Sequence, residues 1–291
     1  MHPADRSTES SERRRGRPLV LKFGGELLDN PARLAVAVQA VRSIVAGGEP
    51  VVIVHGGGKE IDAALNVAGI EKRQVDGLRI TDEATLSVVV AVLAGAINTR
   101  FVAALNASGV AAVGLTGADA RCGLAEAAPP HRAVDGRVVD LERVGVPVSA
   151  SDTRLLTTLL SDGFVAVVAC IGAGASGELF NVNADTLAGH LAARLNARRL
   201  VIAGTTPGVL DSGGATLPVV DGAGIAVLVS DGTATAGMIA KLRACEGALN
   251  AGVDDVVIVD GRDAAALVAA ASSGAPQRAT ILAKAMGSAR H

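Results

Sequence analysis

The chain has 291 residues, a formal net charge of −2 at pH 7 and 49% hydrophobic residues, so it can bury the core of one large α/β domain or of two lobes sharing a sheet. The near-neutral charge argues against a nucleic-acid binder, and with no Trp, no Tyr and four Phe there is no aromatic platform for stacking bases. Cys122, Cys170 and Cys245 form no CxxC pair or disulfide framework, which favours a reducing, cytoplasmic setting, and no uninterrupted apolar run reaches membrane-spanning length.

In chain order, residues 1–17 are polar, contain Arg13-Arg14-Arg15 and lack an apolar h-region, so a disordered tail is expected rather than a secretory signal. Leu19 to Leu21 then reads as a short buried strand ending in Lys22-Phe23-Gly24-Gly25. A lysine at the end of a parallel strand stands where open α/β sheets bind ligands, and glycines let an oxyanion approach the main chain. Asn30-Pro31 starts a helix, with Asn30 as cap and Pro31 at its first position; Gly47-Gly48 end it. Val51 to Val54 is a second strand, followed by His55-Gly56-Gly57-Gly58 and a helix from about Glu60 to Ala68. This β-α-β-α order builds a parallel sheet.

Asp82 and Glu83 occupy the first turn of a helix reaching about Asn106, where carboxylates suit the dipole. Val110 to Leu115 is a third strand, and Asp135-Gly136 signals a hairpin turn. Ser151 is expected to cap a helix ending before Gly163, and Phe164 to Ile171 to form a fourth core strand. Asp185 is expected to open the next helix. Further strands fall at Leu200–Ala203 and Val256–Val259, separated by a helix from about Gly237 to Asn250, and Thr280–Leu282 reads as a last strand.

Several motifs carry possible chemistry. Gly172-Ala173-Gly174-Ala175-Ser176-Gly177 matches the dinucleotide fingerprint, but Glu178-Leu179-Phe180-Asn181 is no helix start and residues 192–203 hold no carboxylate for a ribose. The Walker A pattern is also missing, since Glu60 follows Gly58-Lys59. The three glycines after His55 would present successive N–H groups at a helix start, a ready anion site. Asp185 in Asn181-Val182-Asn183-Ala184-Asp185 reads either as a plain N-cap or as a carboxylate that holds lysines. Lys241 lies in the first turns of its helix and opposes the dipole, which makes sense if both face a polyphosphate. Arg79 offers a fork that suits a carboxylate or a structural ion pair.

Together these pieces resemble the amino acid kinase family. Lys22-Phe23-Gly24-Gly25, His55-Gly56-Gly57-Gly58, Gly77-Leu78-Arg79-Ile80-Thr81, Asn181-Val182-Asn183-Ala184-Asp185 and Gly237-Met238-Ile239-Ala240-Lys241 stand in the family's order. The resemblance implies an α/β fold, an open αβα sandwich with a mainly parallel central sheet. A lobe of residues 18–195 would bind the amino acid and residues 196–291 would bind ATP, which brings Mg2+ with it; no protein metal site is implied. By this similarity Lys22 and Lys241 stabilise the transferring phosphoryl group and Asp185 positions both. Gly57 and Gly58 receive the reacting carboxylate, while Arg79 and Asn181 hold the rest of the acceptor. Gly25, Thr205, Thr206, Gly208, Leu210, Thr233 and Thr235 line the nucleotide site. In place of the family's usual Thr-Asp pair the chain has Gly204-Thr205-Thr206-Pro207-Gly208.

The implied acceptor is N-acetyl-L-glutamate, with N-acetylaminoadipate or a carrier-linked acyl amino acid as alternatives. A non-catalytic sensor of amino acid and nucleotide is the reading from another class. No nucleic-acid or membrane partner is expected, and a homo-oligomer is, a homodimer first and a hexamer second.

Overall fold

The apolar runs at Leu19–Phe23 and Val51–His55 are buried along their whole length, which a parallel sheet between two helix layers requires. The computed structural model describes residues 16–232, 236–272 and 277–283. Its first elements are β1 (Leu19–Phe23), α1 (Pro31–Ala46), β2 (Val51–His55), α2 (Gly58–Val67), β3 (Gln74–Val75), β4 (Leu78–Arg79) and the long helix α3 (Glu83–Ala107). There follow β5 (Ala112–Thr116), β6 (Ala125–Ala127), β7 (His131–Arg132), β8 (Val138–Val139), β9 (Val144–Pro147), α4 (Arg154–Ser161), β10 (Val165–Ala169), β11 (Ile171–Ala173) and β12 (Leu179–Val182). The remainder comprises α5 (Ala184–Arg194), β13 (Arg199–Gly204), β14 (Val219–Val220), α6 (Gly222–Ser230), α7 (Ala236–Asn250), β15 (Val256–Asp260), α8 (Ala264–Ala271) and β16 (Ala279–Leu282).

The large sheet runs β14-β16-β15-β13-β1-β2-β10-β5. Every neighbouring pair is parallel except β15 with β16. Strands from before residue 196 fill one half and strands from after it the other, meeting where β1 pairs with β13. A smaller sheet, β11-β12-β9-β6, and the β3–β4 and β7–β8 hairpins come from the first half. Asp135-Gly136 forms the expected turn between β7 and β8, with Gly136 at φ +87°. The apparent dinucleotide fingerprint is a hairpin turn: the Gly174 N–H donates to the Glu178 carbonyl and Gly177 sits at φ +93°.

Three expectations change. Phe164–Ile171 is not one strand; β10 stops at Ala169 and β11 leaves for the small sheet, where it pairs with β12. Ser151 does not cap α4, which follows Thr153 without a side-chain cap. It is instead buried, its hydroxyl 3.0 Å from the Val148 carbonyl and 2.9 Å from His190 Nε2. Arg17, assigned to the tail, binds Asp254 at 2.7 Å and the Asn196 carbonyl at 2.7 Å; residues 1–15 lie outside the described residues.

By length and composition α3 is long and apolar enough to cross a membrane, although its apolar run is interrupted. Its Val89, Leu93, Ile97, Phe101 and Leu105 form one stripe buried in the core. Over Ala91–Ile97 the helix widens to π-type hydrogen bonding, and Asn98 follows directly. The Asn98 amide donates to His55 Nε2 at 3.0 Å and to the Val167 carbonyl at 2.9 Å. His55 is therefore neutral with its proton on Nδ1, which lies 3.3 Å from the Gly56 carbonyl. Burial holds its pKa down, to about 4.

This histidine sets a pH dependence. Between about pH 6.5 and pH 4 the unfolded chain binds a proton at His55 that the folded chain refuses, so stability falls as pH drops through that window. The loss should approach roughly 3 kcal/mol from this residue, and His190, also held down to about 4, adds to it. Urea unfolding at pH 7.5 and at pH 4.5 checks this; equal stabilities at the two values would contradict the neutral, buried assignment.

Candidate active site

In β1 the side chains alternate, so Phe23 points to one face of the sheet and Lys22 to the other. Phe23 meets Phe101 of α3 edge to face, with ring centroids 5.6 Å apart. Lys22 faces the side covered by α5, whose first turn carries Asp185. Asn183 is the true cap of α5: its Oδ1 accepts from the N–H groups of Asp185 and Thr186 at 2.9 and 3.1 Å. That corrects the reading of Asp185 as a cap and frees its carboxylate. Asp185 Oδ1 lies 2.8 Å from Lys22 Nζ, and Oδ2 lies 3.5 Å from Lys241 Nζ of α7. The first contact is the closer of the two and makes Lys22 the main partner of the buried carboxylate.

All three side chains are shielded, with 9, 13 and 17% of Lys22, Asp185 and Lys241 exposed. Burial works against every charge here. For Asp185 it is outweighed by the two ammoniums, which hold the carboxyl below its usual range. For Lys22 burial is outweighed by Asp185, and the ammonium is stabilised. For Lys241 burial and repulsion from Lys22 prevail, so its pKa is lowered. Two ammoniums thus flank one carboxylate directly, with Glu26 a further anion acting on both lysines.

The glycine loops bring main-chain N–H groups to the same place. Lys22-Phe23-Gly24-Gly25 and His55-Gly56-Gly57-Gly58 leave the ends of adjacent parallel strands. A Cβ on Gly25 would fall 2.6 Å from Gly57 Cα, so the two loops touch backbone to backbone, which only glycine permits. Gly57 also lies against Leu93 and Ile97 of the π-type segment. Gly58 opens α2 and leaves its first N–H groups for an anion.

Beside these loops is a cavity of about 230 Å³ whose lining includes Gly57, Gly58, Arg79, Asn181, Ala184 and Cys170. The residues expected to bind the acceptor thus converge, although they come from the start of α2, from β4 and from β12. Asn181 Nδ2 donates to Thr81 Oγ1 at 3.1 Å. Arg79 Nη2 is bonded to Asp62 of α2, while the shielded Nη1 has no hydrogen-bond partner among the described residues. Apolar walls come from Ile61, Leu78, Leu93, Val144 and Val182. The Cys170 thiol is pushed up to about 12 by burial, which makes it a wall and not a nucleophile.

The residues expected around the nucleotide follow β13. Thr205 and Thr206 lie in the bend after Gly204, half-buried. Gly208, at φ +124°, packs against Thr280 of β16, whose hydroxyl accepts from the Val209 N–H at 2.8 Å. Leu210 forms a bridge with Thr216. Thr233 and Thr235 lie outside the described residues. Among the described residues no group of three or more His, Cys, Asp or Glu could hold a metal ion. Sequence reasoning missed Asp62 and Asn183; each has a local signal, Asp62 one turn after Gly58 and Asn183 immediately before the helix.

A model of the amino acid kinase family matches residues 17–260. The chain is 42% identical over 256 residues to an acetylglutamate kinase of Sphingopyxis alaskensis, covering 86% of this chain and 84% of the relative. It is 40% identical over 255 residues to an acetylglutamate kinase of Zymomonas mobilis, with the same coverage. Among solved structures, an N-acetylglutamate synthase from Neisseria gonorrhoeae, complexed with coenzyme A and N-acetyl-glutamate, superposes with a TM-score of 0.78 at 25% identity. That match covers 95% of this chain but only 62% of the longer synthase chain.

The charge centre gives a direct stability test. Asp185→Ala would leave Lys22 and Lys241 facing each other without their anion, at a cost of roughly 3–5 kcal/mol. Denaturant unfolding at pH 7.5 measures it; a loss within the ordinary scatter of surface substitutions would mean that the two ammoniums do not depend on this carboxylate.

Proposed function

The chain belongs to the amino acid kinase family, and we propose that it transfers the γ-phosphoryl group of ATP to the side-chain carboxylate of N-acetyl-L-glutamate, a step of arginine biosynthesis. The observation that carries this reading is the Lys22–Asp185–Lys241 centre together with a cavity lined by the Gly56-Gly57-Gly58 loop and by Arg79, whose Nη1 has no hydrogen-bond partner among the described residues. The roughly 40% identity to acetylglutamate kinases over most of both chains supports the acceptor.

In the proposed reaction a carboxylate oxygen of the acceptor forms a bond to the γ-phosphorus. The bond from that phosphorus to the bridging oxygen breaks, and its electron pair leaves with ADP. The products are ADP and an acyl phosphate. The acceptor is already ionised at neutral pH, so the step needs no general base. What it needs is neutralisation of two anions and near in-line positioning. Lys22 and Lys241 supply the positive charge, and Asp185 keeps both ammoniums in place between turnovers. The N–H groups of Gly57 and Gly58 receive the reacting carboxylate. Arg79 Nη1 and the Asn181 side chain hold the α-carboxylate and the acylamido group. Magnesium enters with the nucleotide, as MgATP.

In this reading residues 18–195 form the amino-acid lobe and 196–291 the nucleotide lobe, on one shared sheet. Gly25, Thr205, Thr206, Gly208 and Leu210 line the nucleotide site, together with Thr233 and Thr235. The enzyme is cytoplasmic and a homo-oligomer, a dimer before a hexamer. The deciding assay is ADP release with acetylglutamate, acetylaminoadipate, glutamate and aspartate. Acetylglutamate should give the highest kcat/KM; an acceptor one methylene longer is separated from it by only about 1–3 kcal/mol. A wild-type protein that binds ATP and acetylglutamate without releasing ADP would turn the reading into that of a sensor.

Substitutions at Lys22, Lys241 and Arg79 test the roles. Lys22→Ala or Lys241→Ala should lower turnover by about 10²–10³, or roughly 2.7–4 kcal/mol, with smaller effects on substrate binding. Because both ammoniums act on one group, the double variant should lose less than the sum. Turnover that survives either change nearly intact would remove the shared-phosphoryl mechanism. Arg79→Lys keeps the charge but not the fork, so the KM for acetylglutamate should rise far more than that for ATP. Equal effects on both would place Arg79 in the scaffold.

A further inference from the structure

Asp62 has no role in the chemistry described so far, yet it is the partner that decides how Arg79 is presented. It stands on α2 four residues after Gly58, about 6 Å along the helix axis. Its Oδ1 accepts from Arg79 Nη2, and its Oδ2 lies 2.8 Å from Lys72 Nζ. Lys72 precedes β3 and Arg79 lies in β4, so one carboxylate pins both arms of the β3–β4 hairpin to α2. The hairpin is a tight turn through Asp76 and Gly77, both at positive φ, and has only two residues per strand. Burial opposes ionisation of Asp62, but hydrogen bonds from Lys72 and Arg79 outweigh it, and the carboxyl stays below its usual range. Arg79, which lines the cavity, is left with one end of its fork engaged and the other, Nη1, shielded and without a hydrogen-bond partner among the described residues. A shielded guanidinium N–H without a partner calls for an anion.

We infer that Asp62 is a positioning residue for acceptor specificity: through α2 it sets the distance between the Gly58 N–H groups and Arg79, so that only an acceptor with carboxylates at both ends of that span is held. The inference rests on the proposed reading of the cavity as the acceptor site. It makes α2 a ruler, with the reacting carboxylate at its first turn and the α-carboxylate opposite its second.

The test compares N-acetylglutamate with 4-acetamidobutanoate, which has the same chain without the α-carboxylate. Steady-state kcat/KM is measured for both acceptors with the wild type, Asp62→Asn and Asp62→Ala, and calorimetric Kd values give the same ratio where the analogue turns over slowly. The expected result is a preference for N-acetylglutamate that falls about ten-fold or more in both variants, through the acceptor KM, with the KM for ATP unchanged. Loss of activity in parallel on both acceptors would overturn the inference and leave Asp62 as a scaffold residue. An unchanged preference would overturn it as well. Failure of the function reading is seen separately, in a wild type that turns over neither acceptor, and it would take the inference with it.

Discussion

One buried carboxylate between two ammoniums governs this structure. Lys22 and Lys241 belong to different halves of the chain and repel each other in a shielded place. Asp185 makes that arrangement tolerable by pairing with both ammoniums, and Glu26 adds negative charge nearby. Such charge is what a site for phosphoryl transfer requires: already in place, already desolvated and already oriented. Asn183 is part of the same economy, because it takes over the helix cap and releases the neighbouring carboxylate for the lysines.

The sheet explains why these groups can meet. β1 lies between β2 of the first half and β13 of the second, so loops from both halves emerge at one edge, at the carboxyl ends of parallel strands. Close approach of Gly25 to Gly57 joins two of those loops. Below them, neutral His55 and Asn98 tie β2 to α3 and β10 and bring the π-type segment against Gly57. The cavity beside the glycine loop is then completed by short elements, the β3–β4 hairpin and strands of the small sheet. Ion pairs from Asp62 to Lys72 and Arg79 give that hairpin a fixed place relative to α2.

Much of this was legible in the residues alone, for a local reason. Strand cores, the Asn30 and Asp82 helix starts and the Asp135-Gly136 turn are set by neighbours a few positions apart. Five short motifs in family order likewise placed Lys22, Gly57, Gly58, Arg79, Asn181, Asp185 and Lys241, and the structure gathers them into a charge centre and an adjoining cavity.

What local pattern could not supply was the choice of partner. Ser151 looks like a cap, but its hydroxyl finds His190 and the Val148 carbonyl. Phe164–Ile171 looks like one strand, but Cys170 is where the chain passes from one sheet to the other. Asp62 looks like a solvated helix residue until the hairpin closes over it. By itself the sequence determined the elements, the glycine turns and the residue types available for chemistry, because these follow from backbone propensity and the spacing of apolar side chains. Tertiary structure alone decided which carboxylate serves which cation and which donor is left unpaired, because ion pairs and burial depend on groups far apart in the chain, brought together only when it folds; Lys241 reaches Asp185 only because the two halves share one sheet.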